Sequence, residues 1–134
     1  MNKEFIPYEQ ALDLKELGFD EPCIQQYSYD GAIMFCVNDW GQPRLKTNKQ
    51  SYSDSEGDCI SAPTFSQAFR WFREKYNISS FVKREFKDTK MTGYYHGIED
   101  TEKDFYSKTY ITYEEAELEC LKELIEIVNM IKYI

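Results

Sequence analysis

Residues 113–133 carry the clearest rhythm of apolar and polar positions in this 134-residue chain. Leu118, Leu121, Leu124, Ile125, Val128 and Ile131 recur at spacings of three and four and cover one broad side of a predicted helix. Glu115, Glu119, Glu123 and Glu126 form a stripe on the opposite side, with Lys122 among them, and read as a solvated face. Thr112 stands at the N-cap and Glu115 completes a T-x-x-E capping box. Glu117 falls inside the apolar sector, which the first turn accommodates by overhanging the core. A second helix is predicted over Phe65–Tyr76, with Phe65, Phe69, Phe72 and Tyr76 on one face and Trp71 at its edge. A short first helix begins near Pro7 and stops at Gly18. Its core-facing residues are Tyr8, Ala11 and Leu12, flanked by Leu14 and Leu17.

Between the helices the period shortens to that of strands. Cys23–Tyr29 and Ala32–Asn38 flank Asp30-Gly31, a two-residue hairpin signal. The run AIMFCV is continuously apolar, so it reads as a central strand covered on both faces. Further strands are expected near Ser79–Phe86, Met91–Ile98 and Phe105–Ile111, the last two separated by the polar loop GIEDTEKD. Alternation within the last run puts Phe105, Ser107, Thr109 and Ile111 on one face and Tyr106, Lys108 and Tyr110 on the other. Residues 38–62 show no period and read as a long polar loop, unless a strand such as Arg44–Ser51 lies within it. The pattern predicts one α+β domain over 1–134, an antiparallel sheet of about four to six strands packed with three helices, in the order α-ββ-α-βββ-α. All three helices open on an aromatic residue followed three positions later by alanine: Tyr8 and Ala11, Phe65 and Ala68, Tyr113 and Ala116. Two readings stand side by side, an internal αββ duplication and a packing rule in which the small alanine lets each helix lie close to a sheet.

Charge narrows the range of partners. Acidic residues number 24 against 16 basic, a formal net charge of −8, which repels nucleic acid phosphates and disfavours duplex binding. The aromatic content of 16% argues against a disordered chain. No apolar run approaches the 18 or so residues of a membrane span, and MNKEFIPYEQ lacks the apolar core of a signal peptide. A cytoplasmic chain is expected, with Cys23, Cys36, Cys59 and Cys120 reduced.

Standard motifs for chemistry are absent. There is no phosphate-binding glycine loop, no nucleophile elbow, no H-E-x-x-H and no EF-hand loop. His96 is the one histidine and no two cysteines form a C-x-x-C pair, so no metal site, cofactor or catalytic residue is predicted. What remains is aromatic. Tyr94, Tyr95, Tyr106 and Tyr110 concentrate on neighbouring strands beside His96, while Trp40 lies in the polar loop and Trp71 in the second helix. Tyrosine and tryptophan offer large, stiff, amphipathic area for recognition, and they also stabilise sheets by pairing across strands. The expectation is a non-catalytic protein that binds a protein partner through these residues. The alternative is a nucleotide-type ligand stacked on Trp71, Trp40 and Tyr95, with Arg70, Arg73 or Lys75 on phosphate. Self-association through the broad apolar side of the last helix is also open.

Three stretches, FIPYEQALDLKELGFDEPC, QAFRWFREKY and TYEEAELECLKELIEIV, together resemble a group of small uncharacterised proteins of phages and mobile elements in Bacteroidetes-type bacteria. The resemblance covers about a third of the chain and leaves out Asn38 to Ser61. It implies a bacterial or phage-encoded setting and an accessory role, and it assigns no activity, cofactor or site residue.

Overall fold

A computed structural model describes residues 3–28, 30–37, 40–48, 59–100 and 104–132. The order of elements is α1 (Tyr8–Glu16), β1 (Gln25–Tyr27), β2 (Ile33–Phe35), β3 (Ile60–Ser61), α2 (Phe65–Tyr76), β4 (Ser79–Lys87), β5 (Lys90–Glu99), β6 (Asp104–Tyr106) and α3 (Tyr113–Lys132). The protein is α+β, and among the described residues its strands fall into two antiparallel sheets of three strands each. Contacts gather into two compact units, Met1–Thr64 and Phe65–Ile134.

In the first unit the strand order is β2-β1-β3. The central strand is therefore β1, with all three residues buried, and not the apolar run AIMFCV. That run forms the edge strand β2, where Phe35 is exposed. The correction has a physical cause: β3, a two-residue strand inside the expected polar loop, takes the other side of β1. The turn between β1 and β2 is one residue longer than expected. Ser28 and Ala32 bond across it, and Gly31 adopts a φ of 87°, the left-handed residue of a three-residue hairpin loop. Asp30 accepts from the Ser28 hydroxyl and the Ala32 N–H, which hold its carboxyl below the usual range. Within the polar stretch, Lys46 bridges Cys23 and Arg44 donates to Cys36, so part of the suggested strand at 44–51 is paired. Residues 38, 39 and 49–58 lie outside the described residues.

The second unit is a meander, β4-β5-β6, packed with α2 and α3. The β4–β5 ladder runs from Ser79↔Glu99 to Lys87↔Lys90 and slips by one residue between Glu85 and Phe86. Asp88 and Thr89 form its turn, both at positive φ. α3 buries Ala116, Cys120, Leu121, Leu124, Ile125 and Val128, while Ile131 at its far end is exposed. Thr112 caps it by accepting from the Glu115 N–H at 3.1 Å. Ala11, Ala68 and Ala116 are all fully buried, as close helix packing requires. The two sheets differ in strand order, so their likeness rests on that packing feature rather than on shared topology.

Candidate functional site

Residues directly opposite in an antiparallel ladder share a face. The pairs Lys83↔Tyr95, Phe81↔Gly97 and Gly97↔Tyr106 therefore place Phe81, Lys83, Tyr95 and Tyr106 on one face of the second sheet. Val82↔His96, Arg84↔Tyr94 and the bridge Tyr94↔Tyr110 place the other set on the opposite face. Tyr106 and Tyr110, expected on one face, lie on different ones. The register passes from Gly97↔Tyr106 to Tyr94↔Tyr110, which inserts one residue and reverses the alternation.

The face holding His96 is covered by α3. His96 is 2% exposed, and its Nε2 lies 2.7 Å from Oε2 of Glu123. A carboxylate accepts, so Nε2 carries the proton, and the buried Nδ1 has no hydrogen-bond partner among the described residues. Tyr110 stacks on the imidazole at 6.1 Å, and burial followed by the Glu119 and Glu123 carboxylates pushes its phenol up. Tyr94 meets Tyr113 edge-on at 5.8 Å. Cys120, also on this side, is fully buried and its thiol is pushed up to about 12, mainly by desolvation, so it is a poor nucleophile. This constellation is a strut between sheet and helix, buried at His96 and partly exposed at Glu123. Sequence reasoning missed Glu123, which it placed on a solvated stripe; the only signal was the single histidine on a strand that a helix must cover.

The other face is aromatic and open. Phe81, Tyr95 and Tyr106 form a triangle with centroids 6.0, 6.2 and 6.5 Å apart. The tip of the Phe81 ring reaches over Gly97, where a Cβ would come within 2.2 Å of it, so the absence of a side chain at 97 seats the cluster. Lys83 holds its ammonium 4.6 Å above the Phe81 ring, and Tyr106 is 65% exposed.

The two tryptophans have opposite environments. Trp71 is 6% exposed, its ring edge-on to Phe72 and Tyr76 with Lys75 at 5.1 Å. Packing takes up the ring that the nucleotide alternative would stack on a base. Trp40, in the first unit, is 87% exposed.

Each unit carries a groove lined by described residues. One, of about 430 Å³ in the first unit, is apolar, lined by Ile24, Phe35, Val37 and Leu45 with Arg44 at hand. The other, of about 530 Å³ in the second unit, is lined by Val82, Lys83, Arg84, Phe86, Tyr94 and Tyr113. No group of three or more His, Cys, Asp or Glu side chains among the described residues is arranged to hold a metal ion. No described helix is long and apolar enough to cross a membrane. No family model, curated protein or solved structure matches the chain.

Proposed function

We propose that this chain is a non-catalytic accessory protein that works by binding another protein, with the open face of the second sheet as its contact surface. The observation that carries the reading is the Phe81–Tyr95–Tyr106 cluster. Tyr106 is exposed, with Phe81 and Tyr95 half-buried beside it, and stiff aromatic groups fixed by a sheet lose little entropy on binding and are frequent energetic centres of interfaces. The sequence resemblance to phage and mobile-element proteins supports a setting in a bacterial cytoplasm, with a host protein as the target. A nucleotide-type ligand has less behind it, because burial of the Trp71 ring removes one of the stacking surfaces it would use. Met130 and Ile131 are exposed near the end of α3, and sedimentation of the purified chain tests whether they pair two copies.

The test is capture from a Bacteroidetes-type host lysate at low salt with wild type and Tyr106→Ala. One dominant protein held by wild type and lost with Tyr106→Ala supports the reading. Capture of nothing, or of the same protein by both, overturns it.

A further inference from the structure

We propose that the outer edge of β4 receives an extended, acidic peptide segment of the partner as a fourth strand. The proposal rests on the reading of this sheet as the binding surface and names the partner's chemistry. β4 is nine residues long and pairs, among the described residues, with β5 on one side. Its outward N–H and C=O groups are a template for another strand. Ladder bonds supply affinity in this mode, and side chains on and beside the edge supply selection.

Those side chains select for acid. Lys83, Arg84 and Lys87 lie on β4 and Lys90 follows across the turn, against Glu85 and Asp88. All four basic residues are exposed. A second copy of the chain fits poorly. Antiparallel pairing of two β4 edges about their middle sets Lys83 opposite the Lys83 of the copy and the two Arg84 side chains on a diagonal, and like charges facing each other destabilise a pair. The same residues that repel a copy attract an acidic strand. Guarding the edge would need the charges alone. The groove lined by Val82, Phe86, Tyr94 and Tyr113 adds aromatic surface beside them, with Phe86 and Tyr113 exposed. An acidic strand with one apolar or aromatic residue facing that groove satisfies both features.

A random linear decapeptide library displayed against the full chain at low salt tests this. The expected winners are acidic, free of proline and carry an aromatic or β-branched residue. The best peptide, made synthetically with a fluorescent label, should bind Lys83→Glu/Arg84→Glu about tenfold more weakly, a change of about 1.4 kcal/mol. It should lose binding when alternate backbone amides are N-methylated in one of the two registers, since methylation removes ladder donors and keeps charge. Both substitutions are on exposed positions, and circular dichroism verifies that the variant folds. Neutral, basic or proline-rich winners overturn the proposal, as do no winners, equal binding to the double variant, or binding that survives methylation in both registers. Failure here with partner capture still dependent on Tyr106 removes strand addition alone. Peptide binding with capture indifferent to Tyr106→Ala removes the aromatic face instead.

Discussion

The strands of the first unit are two or three residues long, whereas β4 and β5 run for nine and ten. Short ladders leave many backbone groups without strand partners, and side chains take over. Asn48 donates to the Phe19 carbonyl at 2.8 Å and accepts from the Ser61 N–H at 2.7 Å. Tyr27 donates to the Ile6 carbonyl, Gln26 to Thr47 and Lys15 to Cys59. The buried polar residues follow the same division. Gln10, Gln25, Gln26, Lys46 and Ser61 belong to the first unit, and among the described residues His96 alone belongs to the second. One unit is cross-linked by polar side chains and the other by a long ladder against an apolar helix. Polar cross-links specify a unique arrangement, but each is expensive to break when buried.

The largest expected effect attacks the ladder. Gly93 has a φ of 151°, and a Cβ there would sit 2.3 Å from the Tyr110 carbonyl oxygen and 2.7 Å from Thr109. Because backbone is the obstacle, relief requires moving the Tyr94–Tyr110 bridge. Gly93→Ala should destabilise the second unit by about 3 kcal/mol. Urea unfolding followed by Trp71 fluorescence in a Trp40→Phe background measures it, and an unchanged midpoint would sink the claim that close approach builds this sheet. In the first unit, Asn48→Ala should cost about 2 kcal/mol by orphaning the Ser61 N–H and the Phe19 carbonyl. Amide exchange at Ser61 is the readout. No acceleration there would mean that the polar cross-link is not what holds β3.

These contrasts also explain what could be read from sequence. α2 and α3 were legible to within a residue or so, because a periodic apolar stripe and a Thr112 cap are local signals. The faces were less so: α2 buries Phe65, Ala68, Trp71 and Phe72, a stripe turned toward the small alanine and away from the expected Phe69. β3 was invisible, since two residues carry no period and their pairing is decided by β1. The inserted residue that separates Tyr106 from Tyr110 is likewise set by tertiary pairing, not by local pattern. Of the residues picked for binding, Tyr95 and Tyr106 lie on the open face, while Tyr94, His96 and Tyr110 lie under α3. Strand alternation separates Tyr95 from Tyr94 and His96, but which face stays open, and where Tyr106 and Tyr110 fall, depends on the register.

A smaller effect concerns the apolar helix itself. Glu117 is half-buried, and desolvation, helped by Glu114, raises its carboxyl to about 7. A raised acid pKa means that the folded protein holds this proton more tightly than the unfolded chain. The associated stability is therefore present below the ordinary glutamate range and is lost as pH climbs toward 7. Glu117→Gln, which stays neutral, should be more stable than wild type at pH 8, on the order of 1 kcal/mol after discounting for partial solvation. The advantage should vanish as pH falls through the window between 7 and 4.5. Thermal melts across that range measure it, and a constant difference would show that the gain is not electrostatic.

The smallest expected effect returns to the two hairpin turns. The first unit places Gly31 at its left-handed position, with a φ of 87°. The second places Asp88 and Thr89 at φ of 50° and 72°, the two positive values of a type I′ turn. Aspartate tolerates that region because its short side chain bonds locally; a β-branched threonine does not. Thr89→Gly removes the steric cost but adds chain entropy to the unfolded state, so the net gain should be below about 1 kcal/mol. Gly31→Thr is the mirror experiment. A Cβ at Gly31 would meet the Tyr8 ring only at 3.9 Å, an ordinary contact, so its cost is conformational and should be near 1 kcal/mol. Opposite signs in paired urea titrations would show that each turn is judged by its own backbone. The same sign in both would mean that the turn residues matter through contacts that the backbone angles do not describe.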